Sequence, residues 1–147
     1  LRMSADLLKL GENTAYLDCD VIDADGGTRC AGITGAATAL AIACRRGVAK
    51  GIFPENPFKE SVAAISVGVI GGVPMLDLCY EEDSNAEVDM NVVMTESGKL
   101  VEVQGTAEGE PFSRVRLNEL IDLAEHGLKQ VFAMQREAVE TALEVRP

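Results

Sequence analysis

Two groups of residues in this chain have types and spacing suited to chemistry. Gly26-Gly27-Thr28-Arg29 sets two glycines, a hydroxyl and a guanidinium just before an Ala- and Gly-rich stretch. Glycines let a backbone approach an anion closely, a helix start offers unpaired N–H groups, and arginine makes a two-pronged contact to phosphate. Every part suits phosphate. A tight turn with Thr28 as an N-cap would explain the same residues without any ligand.

The second group is acidic. With strand periodicity, Asp77, Cys79, Glu81 and Asp83 face away from Leu76, Leu78 and Tyr80, and Glu87, Asp89 and Asn91 face away from Val88, Met90 and Val92. Acidic faces on neighbouring strands repel and call for a cation. Asp83 and Asp89 would stand roughly 20 Å apart in one straight strand. Carboxylates sharing Mg²⁺ each need an oxygen about 2.0 to 2.1 Å from the ion, so the chain must fold back, and Ser84-Asn85-Ala86 offers a turn. A solvated acidic sheet face is the alternative reading.

Composition narrows the chemistry further. The only histidine, His126, falls in a polar helical stretch far from both groups, so Ser-His and Cys-His nucleophile systems and His-rich metal sites have no support. Cys19, Cys30, Cys44 and Cys79 form no CxxC or zinc spacing and read as reduced thiols of a cytosolic protein. No apolar run is long enough to span a bilayer, and no secretion signal stands at the N-terminus. A net charge of −11 repels polyanions, so any nucleic-acid partner needs basic groups from elsewhere and screening cations.

The elements that must hold these groups follow from periodicity. Residues 1–11 read as the last turns of an amphipathic helix ending at Gly11, so the natural start is expected upstream of Leu1. Thr14 to Val21 alternates like a half-buried strand leading into Asp25-Gly26-Gly27, and Thr28 to about Arg46 reads as a helix packed closely on a sheet. After a loop with Pro54 and Pro57, four strands are expected as an antiparallel meander: Ser61 to Ile70, Val73 to Glu82, about Glu87 to Thr95, and Leu100 to Thr106. Ser113 then caps a helix that Gly127 breaks before a last one, Leu128 to about Leu143. Helices over one face of a mostly antiparallel sheet give an α+β fold. One unit is expected, with residues 1–52 supplying strand, phosphate loop and helix, and residues 60–147 the meander and C-terminal helices.

Three segments carry a resemblance to a known family: DCDVIDADGGTRCAGITGA from Asp18 to Ala36, LDLCYEEDSNAEVDMNVVMT from Leu76 to Thr95, and VEVQGTAEG from Val101 to Gly109. Together and in this order they resemble bacterial RNase PH, over essentially the whole chain. The resemblance implies a two-layer RNase PH-type fold and a phosphate-dependent exoribonuclease that trims RNA 3′ ends such as transfer-RNA precursors, releasing nucleoside diphosphates. It implies phosphate binding by Gly27, Thr28 and Arg29, and catalytic, metal-associated aspartates at Asp83 and Asp89 that take Mg²⁺ or another divalent cation. In related polynucleotide phosphorylases a lysine stands two residues after the second aspartate. Asn91 holds that place here and is a further candidate contact for metal or phosphate.

The partners implied are RNA, inorganic phosphate as co-substrate and further copies of the chain in a homo-hexameric ring, with no role for DNA or a membrane. The family also binds phosphate through an arginine in its N-terminal part, upstream of Leu1, so this chain alone is expected to show weak or no phosphorolysis. Two other readings stay open: a non-catalytic RNA-binding ring subunit of an exosome-like assembly, and a Mg²⁺-dependent hydrolytic nuclease.

Overall fold

β1 (Val62–Ile70) is the centre of the molecule because its residues are apolar or small on both sides. The computed structural model describes residues 1–144. Ahead of β1 stand a short 3₁₀ turn at Arg2–Ser4, a one-turn helix α1 (Leu7–Leu10) and the long helix α2 (Thr28–Ala49). After it come β2 (Val73–Leu76), the one-turn helix α3 (Tyr80–Asp83), β3 (Val88–Thr95), β4 (Leu100–Ala107) and the helix α4 (Arg114–Glu144). The strands form one antiparallel sheet in the order β2-β1-β3-β4.

The α+β class expected from the sequence is the one observed, but the helices cover both faces of the sheet. Ile65, Val67, Met90 and Val92 pack beneath Leu120, Ala124, Leu128 and Phe132 of α4. On the opposite face Val62, Ala64 and Val93 pack against Cys30 and Ile33 of α2. Strand alternation sends successive side chains to opposite faces, so β1 serves both layers. The buried Gln135 of α4 joins them at one end, its Nε2 donating to the carbonyls of Thr34 at 2.9 Å and Val62 at 3.2 Å.

Four sequence expectations change. The sheet is not a simple meander, since β3 pairs with β1 and β2 lies at an edge. The Thr14 to Val21 strand is absent: the segment joins no ladder, and Tyr16 is 90% exposed. Alternation marks two faces but provides no strand partner. The N-terminal helix is a single turn, with Gly11 at its C-cap as expected, and Leu7 and Leu8 are exposed. α4 runs unbroken through Gly127, because the missing side chain admits Leu76 and Ile65: a Cβ there would stand 2.8 to 2.9 Å from their terminal carbons.

Candidate active site

The largest departure from the expected strands creates the site. β2 stops at Leu76, and Asp77 takes a left-handed backbone, φ 58°, that turns the chain out of the ladder. Ser66, the one hydroxyl in β1, secures the turn: its carbonyl accepts the N–H of Asp77 at 2.8 Å and its Oγ that of Leu78 at 3.0 Å. Leu78 is buried in space left free because Gly68 has no side chain. Cys79 then caps α3, where Glu82 reaches back to its N–H at 3.0 Å. The acidic run from Tyr80 to Asp83 is thus a helical turn, not the strand face its alternation indicated.

The chain reverses between Asp83 and Asp89 as sharing an ion requires. Asn85 and Ala86 donate to the carbonyls of Glu82 and Asp83, and Glu87 donates to Val69 to begin β3. Asp89 pairs with Gly68 on one side and Thr106 on the other. Burial, and then the charge and hydrogen bonding of Asp83, push the Asp89 carboxyl above its ordinary pKa; Glu108 adds to this and the N–H of Met90 opposes it. The two aspartates are therefore neighbours whose charges work against each other.

The donor set fits Mg²⁺. A hard cation of this kind takes one or two carboxylates and keeps much of its water and substrate phosphate as further ligands. Among the described residues no cluster of three or more His, Cys, Asp or Glu stands ready for a metal, so the protein would contribute the carboxylate pair. Asn91 stands two residues along the same face, but its Oδ1 accepts from the Cys30 thiol at 2.8 Å. Burial foremost pushes that thiol up to about 11, so it remains a protonated donor at neutral pH.

The glycine loop lies directly against α3. Gly27 is the N-cap of α2 in a left-handed conformation, φ 68°, and no side chain caps the helix. Thr28 is the first helical residue, so the capping role considered for it from sequence belongs to Gly27. The first N–H groups of a helix have no partner within it, and an anion can take them. Arg29 Nη2 meets Oε1 and Oε2 of Glu102 in β4 at 2.7 and 3.0 Å. Gly26 is packed so tightly that a Cβ would lie 2.0 Å from the carbonyl oxygen of Leu78. The Asp25 carboxylate accepts from its neighbour Gly26 at 2.9 Å and from Tyr80 at 2.6 Å.

The glycine loop and the turn that bears Asp83 are thus packed against each other. Thr106 and Gln104, opposite Asp89 and Asn91 in the ladder, share their face of the sheet. A groove of about 660 Å³ runs elsewhere, between the 17–26 segment and the small residues of α2; Asp25, Gly26 and Thr28 border it, but Asp83 and Asp89 do not. His126 is exposed on α4, on the layer opposite the site.

Residues 60–127, which contain both aspartates, match the family described as "3' exoribonuclease family, domain 2". A crystal structure of rice (Oryza sativa) Rrp46 has the same fold, with a TM-score of 0.64 at 20% identity over 82% of this chain and 51% of that one. In its fold and in the 60–127 segment, this chain is similar to an RNase PH-type C-terminal part. It spans about half the length of the rice protein. The family match begins after the glycine loop, which is tied to the matched segment by its contacts with Leu78 and Tyr80. Ser66 and Glu102 were supporting residues that sequence reasoning missed, and Asp25 was read only as part of the turn before the loop. Ser66 had a signal, as the one polar side chain in an apolar strand; Glu102 had none, lying 73 residues from its partner.

Proposed function

We propose that the protein containing this chain is a phosphate-dependent 3′-to-5′ exoribonuclease that trims RNA ends such as those of transfer-RNA precursors. One observation supports the reading: a glycine loop at an uncapped helix start, a place an anion can occupy, is packed against the helical turn that brings Asp83 to Asp89. A hydrolytic nuclease would have no use for that loop.

In this mechanism the N–H groups at the start of α2, the Thr28 hydroxyl and the Arg29 guanidinium hold inorganic phosphate in line with the last phosphodiester. Phosphate is already an anionic nucleophile near neutral pH, so positioning and charge neutralisation are the main tasks and no histidine base is needed. An oxygen of the phosphate bonds to the terminal phosphorus as the bond to the preceding 3′ oxygen breaks. The proton carried by the attacking phosphate passes to that 3′ oxygen, with Asp83 as the carboxyl that relays it. The terminal nucleotide leaves as a diphosphate. Asp83 and Asp89 would hold Mg²⁺, which when bound supplies charge neutralisation at the reacting oxygens.

The homo-hexameric ring implied by the family resemblance would bring basic surface to RNA that a chain of net charge −11 lacks. The test is to incubate the full-length protein with a short RNA, with and without phosphate, and identify the nucleotide released. Diphosphates formed only with phosphate are expected. Monophosphates would make the enzyme hydrolytic, and no release would make it a non-catalytic RNA-binding subunit.

A further inference from the structure

We infer that Asp25 is a positioning residue that fastens the phosphate loop to the turn bearing Asp83, fixing the distance between the nucleophile's seat and the aspartate pair; this rests on the phosphate-dependent reading above. A carboxylate next to a phosphate loop is an electrostatic liability, since like charges at close range repel. Its geometry shows a different use. Asp25 Oδ1 accepts two backbone N–H groups at once, from Gly26 at 2.9 Å and from Tyr80, the first residue of α3, at 2.6 Å. Those groups lie on either side of the seam between loop and helix, 54 residues apart in the chain.

The seam is closed by packing as well. Gly26 lies on the backbone of Leu78 and Cys79, and Leu78 is held to β1 through Ser66. The loop is therefore referenced to the sheet that carries Asp89 through Leu78, and to the turn that carries Asp83 through Asp25. Without the carboxylate, the Gly26 contact alone would join them, and the N–H of Tyr80 would lose its acceptor. Hydrogen bonds to charged groups are the stronger ones, so this oxygen ties loop and turn more firmly than a neutral acceptor would.

The sign of the effect separates this role from a simple charge. If Asp25 acted only by repulsion, removing it would tighten phosphate binding; as a positioning residue, its removal weakens it. The experiment uses the full-length protein with Asp25→Ala and Asp25→Asn, measuring phosphorolysis against phosphate and RNA and amide hydrogen exchange at Tyr80. Asp25→Ala is expected to raise the KM for phosphate about tenfold, leave the KM for RNA within about twofold and speed exchange at Tyr80. Asp25→Asn, which keeps an oxygen acceptor, is expected to restore most of both properties. An unchanged or lower phosphate KM in Asp25→Ala, or Asp25→Asn impaired as fully as Asp25→Ala, would overturn the inference. Absence of phosphorolysis in the wild type would instead count against the proposed function, and Tyr80 exchange would still decide whether Asp25 holds the seam.

Discussion

Arg29 reaches across from α2 to β4, where its Nη2 meets both carboxylate oxygens of Glu102 at 2.7 and 3.0 Å. Both side chains are nearly half exposed, and ion pairs of that kind contribute little to stability. The value of the contact lies in orientation, because it fixes one nitrogen of the guanidinium and leaves the rest of its fork for an anion. Arg29→Lys keeps the charge but loses the fork. It should raise the KM for phosphate about tenfold or more while the melting temperature stays within a degree or two. Steady-state kinetics with a thermal scan check both halves.

Asp89 makes a prediction with a pH sign. Burial, followed by Asp83, raises its pKa in the folded chain, so the folded state holds that proton more tightly than the unfolded state does. Its contribution favouring the fold is complete below the unfolded pKa and is lost as pH rises through the folded value. At neutral pH the ionised carboxyl therefore works against folding. Asp89→Asn should raise the melting temperature at pH 7, with the gain disappearing below the ordinary carboxylate range, and should cut turnover by about a thousandfold. Added Mg²⁺ should stabilise the wild type and leave Asp89→Asn unmoved, as ligand linkage requires. A melting temperature at pH 7 lowered by the substitution would contradict the reading of this pair.

Much of the scaffold could be read from residue order. The two-sided apolar run of β1, the Gly71-Gly72 turn, the hairpin at Gly98 and the start of α2 at Thr28 all stand where patterning placed them. What escaped it was set by partners distant in sequence. The alternation from Leu76 to Asp83 looked like a strand, yet Ser66 captures Asp77 and Leu78 and turns that stretch into a helix. Gly127 looked like a helix break, yet it admits Leu76 and Ile65. The residue types of the site were legible; the supporting roles of Asp25, Ser66 and Glu102 were not, because each acts through a group more than ten residues away.

Gly26 provides a test of the packing. An added Cβ would lie 2.0 Å from the Leu78 carbonyl oxygen and 2.7 Å from the Cys79 carbonyl carbon, both backbone atoms without rotamers to yield. Gly26→Ala should cost about 1 to 3 kcal/mol in thermal or urea unfolding and part the loop from α3. Gly32, where a Cβ meets nothing within 4 Å, is the control: Gly32→Ala in the helix should leave stability equal or higher by about 1 kcal/mol. Equal stabilities for the two variants would deny the close seam.

The most direct measurement of the central claim follows the phosphate itself. Full-length protein is given a short RNA and isotopically labelled inorganic phosphate, and the released nucleotides are analysed for the label. If the loop at Gly27 to Arg29 presents phosphate to the bond beside Asp83 and Asp89, every released nucleotide is a diphosphate with the label in its β-phosphate. Release of unlabelled monophosphates at the same rate with or without phosphate would contradict the account.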